Sequence, residues 1–201
     1  MENKLAKFIS IAFHPILIPS LLFTIIFYFI NYLSFSIPPS LKLILLSTVI
    51  ITTCVVPIIL FSLFYKLNFI NSLLMENKED RVLPLIIISV SYYSTYYIFR
   101  KLNLPAITTI IMLSACLTSI ITLLINYKWK ISIHSIGWGS ITGIMIGISN
   151  FYLLPLIPII AILFLISGFV AFSRLHLNAH NNAQVYFGFL IGFCTMLLII
   201  H

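Results

Sequence analysis

The feature that most constrains this chain is a series of long apolar stretches that contain no acidic or basic residue. A helix needs about 20 mostly apolar residues to cross the hydrocarbon core of a bilayer, and seven stretches approach that length. They cover residues 8–33, 43–65, 82–99, 105–126, 131–149, 151–172 and 183–200. The alternating ten-residue segments of a transmembrane barrel are absent from the sequence. The pattern therefore predicts an all-α fold, a polytopic transmembrane helical bundle.

Composition agrees with a lipid surrounding. Charged residues make up only 7% of the 201 residues, whereas about a quarter is usual in soluble domains. The net charge of +7 arises because acids are scarce, and the basic residues are scattered between apolar runs. This distribution excludes a soluble domain and gives no basic face for nucleic acid. We expect membrane lipids around the chain, and the sequence leaves its oligomeric state open.

The first stretch is the least regular of the seven. His14 and Pro15 interrupt it, and Pro19 follows, so we expect a kinked or re-entrant segment and a total of six or seven spans. The sequence contains no internal repeat and no long linker, which predicts a single integral membrane domain over residues 1–201.

Glycines on two of the predicted spans are spaced four residues apart. Gly139, Gly143 and Gly147 share one face of the fifth span, and Gly188 and Gly192 repeat the spacing on the last. Small residues at this spacing let neighbouring helices approach closely. We expect these two spans to pack tightly, with no function beyond packing required.

Most of the ionisable residues near the spans fall into three segments between helices. They lie around Lys78 and Arg81, around His134, and from Arg174 to His180. Ionisable groups at membrane depth are costly and often functional. Because two predicted spans separate each segment from the next, all three emerge on the same side of the membrane and can share one site.

The third segment resembles a known motif. Ser173-Arg174, five residues, His180, three residues and Gln184 has the spacing of the third motif of the type 2 phosphatidic acid phosphatase superfamily, which ends in Asp. Ser132 and His134 resemble its Pro-Ser-Gly-His motif, and Lys78, Arg81 and Pro84 resemble a compressed first motif. The resemblance covers residues 78–192.

The resemblance implies a lipid phosphatase of the bacterial inner membrane. Its substrate would be a lipid phosphate such as phosphatidic acid or an isoprenyl pyrophosphate. His180 would attack phosphorus and form a phosphohistidine, and His134 would protonate the leaving alcohol and later activate water. Phosphate would be bound by the basic and hydroxyl side chains of the motifs, without a metal or other cofactor. These are Lys78, Arg81, Arg174, Ser132 and Ser173.

Gln184 stands where the family motif has Asp. Its carbonyl can accept a hydrogen bond from His180 but adds no negative charge, so a second hypothesis stays open. In it the chain binds or flips lipid phosphates and turns them over weakly or not at all. His176 and His180 also form an HxxxH pair, but five histidines and four acids are too few for a membrane oxygenase. His14 is isolated in the sequence and receives no role.

Overall fold

The apolar stretches fold into helices throughout the part of the chain that the structure describes. This computed structural model describes residues 2–35, 37–70 and 77–200, and no strand occurs in those ranges. The helices are α1 (Glu2–Ala12), α2 (Ile18–Tyr28), α3 (Asn31–Ser34), α4 (Pro39–Ile50), α5 (Val56–Lys66), α6 (Val82–Lys101), α7 (Ala106–Lys128), α8 (Ile133–Phe151), α9 (Ile157–His176) and α10 (Asn182–Ile200). A π-helical turn, Ile51–Val55, joins α4 to α5, and the 3₁₀ turns Pro15–Leu17 and Glu79–Arg81 precede α2 and α6.

Six helical segments are long and apolar enough to cross a membrane. They are Glu2–Tyr28, Pro39–Lys66, Glu79–Lys101, Ala106–Lys128, Ile157–His176 and Asn182–Ile200. The remaining predicted span, the fifth along the chain, is α8, in which glycine, serine and threonine alternate with the apolar residues and which is not among the six. Most residues of α8 are buried, and it packs against α10 and α9 and touches α2 and α7. The prediction of an all-α polytopic bundle is confirmed, with α8 as its central helix.

The glycines allow the close helix approach that their spacing predicts, and the structure shows that α8 and α10 are each other's close neighbours. A methyl group placed on Gly139 or Gly143 would overlap backbone carbonyls of Phe189 and Phe193 on α10. On the other side, a methyl group on Gly192 would overlap the carbonyl oxygen of Ile136. The two backbones are therefore in direct contact, which fixes the start of α10 against the start of α8.

The first predicted span is broken, as its prolines predict. Pro15 has no N–H and cannot extend α1, so the helix ends at Ala12 and a 3₁₀ turn leads into α2. The two halves then pack on different partners: α1 lies on α9, and α2 lies on α4 and α8. The break leaves backbone carbonyls of α1 without their usual partners inside the bundle.

The contact between α8 and α10 predicts a specific sensitivity to added volume. Gly192→Ala should destabilise the protein by about 1–3 kcal/mol, because neither backbone can move away from the new methyl group. Thermal unfolding of the purified protein in detergent measures the effect. Gly168→Ala is the matched control, because no atom lies within 4 Å of its added methyl group. Alanine there should be neutral or stabilising by up to about 1 kcal/mol, so equal losses in both variants would contradict the close approach.

Candidate functional site

The turn that carries His180 is defined by two asparagines. Asn178 adopts a positive φ of 50°, and Ala179 N–H donates to the Arg174 carbonyl at 3.2 Å, the pattern that ends helices in a Schellman motif. Asn181 then begins α10, where its Oδ1 accepts from the Gln184 N–H at 2.9 Å. The chain thus stops α9 and starts α10 within a few residues, and His180 is held between the two helix ends.

Gln184 orients His180 through one side-chain oxygen. Gln184 Oε1 accepts from the Asn181 N–H at 3.2 Å and lies 3.0 Å from His180 Nδ1. Since the backbone N–H can only donate, this atom is an acceptor, and His180 Nδ1 must carry the hydrogen. The neutral imidazole consequently keeps its lone pair on Nε2.

The surroundings of His180 favour its neutral form. The side chain is buried, and burial lowers the pKa of His180 from its ordinary value of 6.5 to about 4. The positive charge of Arg81 adds to this lowering of the pKa, whereas the hydrogen bond to Gln184 opposes it. At neutral pH His180 therefore offers an uncharged imidazole with a free lone pair, the state that a nucleophile requires.

The broken end of α1 contacts the next two site residues. The Ser10 carbonyl accepts from His134 Nε2 at 3.2 Å, and the Ser10 hydroxyl accepts from Arg174 Nη1 at 2.7 Å. Nearby, the indole N–H of Trp138 donates to the Phe13 carbonyl at 3.0 Å. The bonds to the Ser10 and Phe13 carbonyls replace the backbone hydrogen bonds that these carbonyls would accept in an unbroken helix.

Arg81 reaches the same place from the start of α6. Its side chain is only 6% exposed, and Nη1 donates to the Ile131 carbonyl at 2.9 Å, just before α8 begins. On Arg174, Nε is buried and has no hydrogen-bond partner among the described residues. Buried guanidinium groups usually have all their N–H groups bonded, so this N–H indicates a missing acceptor.

These side chains line one end of a cavity of about 390 Å³. Its polar end carries two guanidinium groups and three imidazoles, and no acidic residue occurs among the described residues that line the cavity. The basic lining residues are His14, Arg81, His134, Arg174 and His180. The rest of the lining is mostly apolar and comes from six helices, with Ile18, Leu22, Phe61, Ile88, Ile111 and Met112 among its side chains. Tyr92 and several serine and threonine hydroxyl groups also line this part. A positive head and a long apolar body suit an amphiphilic anion.

Four of the eight predicted site residues line this cavity, namely Arg81, His134, Arg174 and His180. Gln184 forms a hydrogen bond to one of them, His180. The other three lie elsewhere. Lys78 is partly exposed and donates from Nζ to the Tyr127 carbonyl at 3.2 Å. Ser132 is the N-cap of α8, where its hydroxyl accepts from the Ser135 N–H at 3.3 Å. Ser173 donates to the Ala6 carbonyl at 2.7 Å, so both hydroxyl groups are bonded within the bundle.

Sequence reasoning missed the contribution of the N-terminal segment. His14 lines the cavity, its ring centroid is 5.1 Å from that of His134, and Ser10 contacts two other site residues. Both His14 and Ser10 lie outside the region of resemblance at 78–192. The usable signal was the histidine beside a proline in the middle of an apolar stretch, where broken helices in membranes often form sites.

The three histidines do not form a metal centre. Among the described residues, no three histidine, cysteine or carboxylate side chains converge closely enough to hold a metal ion. The two histidines of the HxxxH pair also lie in different surroundings. The His176 ring stacks on Phe172 with 5.3 Å between ring centroids, whereas His180 lines the cavity.

Comparisons with known proteins give no relative for this chain. No family model matches it, and neither a curated protein nor a solved structure is similar to it. The functional interpretation therefore depends on the motif spacing and on the cavity itself.

The pKa of His180 predicts how stability changes with pH. Between pH 6.5 and about 4 the unfolded chain binds a proton at His180 that the folded chain does not bind. Acidification through this range therefore lowers the free energy of unfolding. His180→Gln should weaken the loss of stability between pH 7 and pH 5, measured as the melting temperature of both proteins across that range. Identical pH dependence in the two proteins would contradict the assigned environment.

Proposed function

We propose that this protein is an integral membrane phosphatase that hydrolyses a phosphorylated lipid, of the phosphatidic acid or isoprenyl pyrophosphate type. The observation that carries the proposal is the cavity with two guanidinium groups at one end and mostly apolar walls along the rest. Guanidinium groups bind phosphate oxygens through charge-assisted hydrogen bonds. A lipid phosphate would place its head group against the two guanidinium groups and its hydrocarbon tail along the apolar walls. The motif resemblance supports this function and favours the bacterial inner membrane as the location.

The guanidinium groups suit the phosphoryl group. Arg174 has a buried Nε–H without a described protein partner, and Arg81 lines the same cavity from the start of α6. Guanidinium groups bind phosphate oxygens through paired N–H donors and remain charged at every relevant pH. A phosphoryl group bound by both arginines would lie beside His180, whose pKa both of them lower.

The first chemical step uses the lone pair on His180 Nε2. The nitrogen attacks phosphorus, and a phosphorus–nitrogen bond forms as the bond between phosphorus and the lipid alcohol oxygen breaks. The departing oxygen takes a proton from His134 in its cationic form, which the incoming phosphate dianion stabilises. The products of this step are the lipid alcohol and a phosphohistidine.

The second step returns the enzyme to its starting state. Water attacks the phosphorus of the phosphohistidine and gives a proton to His134, which is neutral after the first step. The phosphorus–nitrogen bond breaks, inorganic phosphate leaves, and His180 recovers its neutral form. The Gln184 oxygen keeps Nδ1 protonated throughout, so Nε2 is the only ring nitrogen available for the bond.

The decisive test is phosphate release from defined lipids. Purified protein in mixed micelles should release inorganic phosphate from dioleoyl phosphatidic acid or farnesyl pyrophosphate, and His180→Ala should reduce the rate to background. His134→Ala should lower the rate by about 10²- to 10⁴-fold, the usual contribution of a general acid–base group. His176→Ala removes a histidine of the same turn outside the cavity and should retain the wild-type rate. A His180→Ala protein as active as wild type would exclude the mechanism.

A second candidate function is binding or flipping of lipid phosphates without efficient turnover. Gln184 favours it, because this side chain positions His180 but supplies no negative charge to stabilise the cationic imidazole that forms during attack. In the serine-protease triad, replacing Asp by Asn lowers turnover by about 10⁴-fold. A binder of this kind would keep the cationic end of the cavity and lose only the reaction.

Gln184→Glu separates the two functions. Glutamate at this position keeps the capping geometry and places a charge beside His180 Nδ1. In a phosphatase, phosphate release should rise by at least about tenfold, because the charge stabilises the imidazolium. In a binder, turnover should stay absent and lipid phosphate should bind more weakly. Asn182→Asp is the control, since it adds the same charge at the start of α10 without a bond to His180; an equal response to it would remove the special role of position 184.

A further inference from the structure

His14 is a third histidine at the cationic end of the cavity, and the mechanism above does not use it. It lies at the break between α1 and α2, lines the cavity, and meets His134 edge to face with 5.1 Å between ring centroids. These contacts place His14 within the group of side chains that would surround a bound anion.

The three imidazoles differ in which ring nitrogen is bonded within the protein. His180 donates from Nδ1, which leaves a lone pair on Nε2. His134 donates from Nε2 to the Ser10 carbonyl, which leaves a lone pair on Nδ1. In His14 the Nδ1 lone pair is already used, because it accepts from the Ile16 N–H at 3.3 Å. A neutral His14 therefore carries its hydrogen on Nε2, and no described residue accepts a hydrogen bond from that nitrogen.

We propose that His14 is an anion-binding residue that donates Nε2–H to an oxygen of the bound phosphoryl group. This inference rests on the proposed function, because it assigns one more ligand to the same site. His134 and His180 present lone pairs and suit proton transfer and attack, whereas His14 presents a donor and suits binding. Arg174 Nε–H is a buried donor without a described partner at the same end of the cavity. His14 would add a second donor from the more exposed side of the site.

The local structural role of His14 needs only one of its two nitrogens. Accepting from the Ile16 N–H caps the 3₁₀ turn Pro15–Leu17, and an asparagine oxygen can serve the same purpose. His14→Asn consequently keeps the capping acceptor and removes the Nε2–H donor. His14→Gln is the complementary variant, because its amide N–H₂ can reach the position of Nε2–H.

Binding measured without turnover tests the proposal. All proteins carry His180→Ala, and the probes are inorganic phosphate and dioctanoyl phosphatidic acid, with affinity taken from the ligand-dependent shift of the melting temperature. A hydrogen bond to a charged group contributes enough that His14→Asn should weaken binding of both probes by about tenfold or more. His14→Gln should stay within about threefold of the parent, and the ligand-free melting temperature of His14→Asn should match that of the parent.

The outcomes separate this proposal from the proposed function. If the parent binds both probes and His14→Asn binds them equally well, His14 is not a ligand and the site function stands. If the two His14 variants lose affinity equally, the ring only shapes the break, and the donor role is wrong. Weakening with the lipid probe alone would place His14 against the lipid backbone and also overturn the role. A parent that binds neither probe would overturn the proposed function and this inference together.

Discussion

The candidate site depends on the need to satisfy backbone carbonyls where the first span breaks. Inside a membrane bundle no bulk water is available for them, so side chains of neighbouring helices must donate instead. The Ser10 and Phe13 carbonyls receive their hydrogen bonds from His134 and Trp138, which lie one turn apart on α8. The same requirement that repairs the broken helix therefore fixes the ring orientation of a proposed catalytic residue.

Helix packing and hydrogen bonds position the cationic end of the cavity. Backbone contact between α8 and α10 sets the distance between the helix starts near His134 and His180, and the glycines make that contact possible. Arg174 is held through Ser10 on α1. These contacts bring the two guanidinium groups to one cavity, and an anionic ligand would reduce the repulsion between them.

Several parts of this structure follow directly from sequence patterns, and others depend on long-range contacts. Apolar length predicts the spans, proline position predicts the break in the first span, and glycine spacing predicts that α8 and α10 pack closely on a neighbour, because each of these effects acts over a few residues. That the two helices pack on each other is visible only in the structure. The placements of Lys78, Ser132 and Ser173 do not follow from motif spacing. Serine hydroxyl groups often form hydrogen bonds with nearby backbone groups, as Ser132 does at the start of α8 and Ser173 does with the Ala6 carbonyl. The flexible side chain of Lys78 likewise reaches the Tyr127 carbonyl. His14 was missed because its partners are more than a hundred residues away in sequence.

The two roles of the Gln184 oxygen have a dynamic consequence. One atom both closes the first turn of α10 and orients the imidazole of His180. Fraying of that turn would release the ring from its fixed tautomer, since the shared acceptor would leave with the helix end. The fixed tautomer of His180 thus cannot outlast one helical turn. Local unfolding at the start of α10 and loss of the imidazole orientation are the same event.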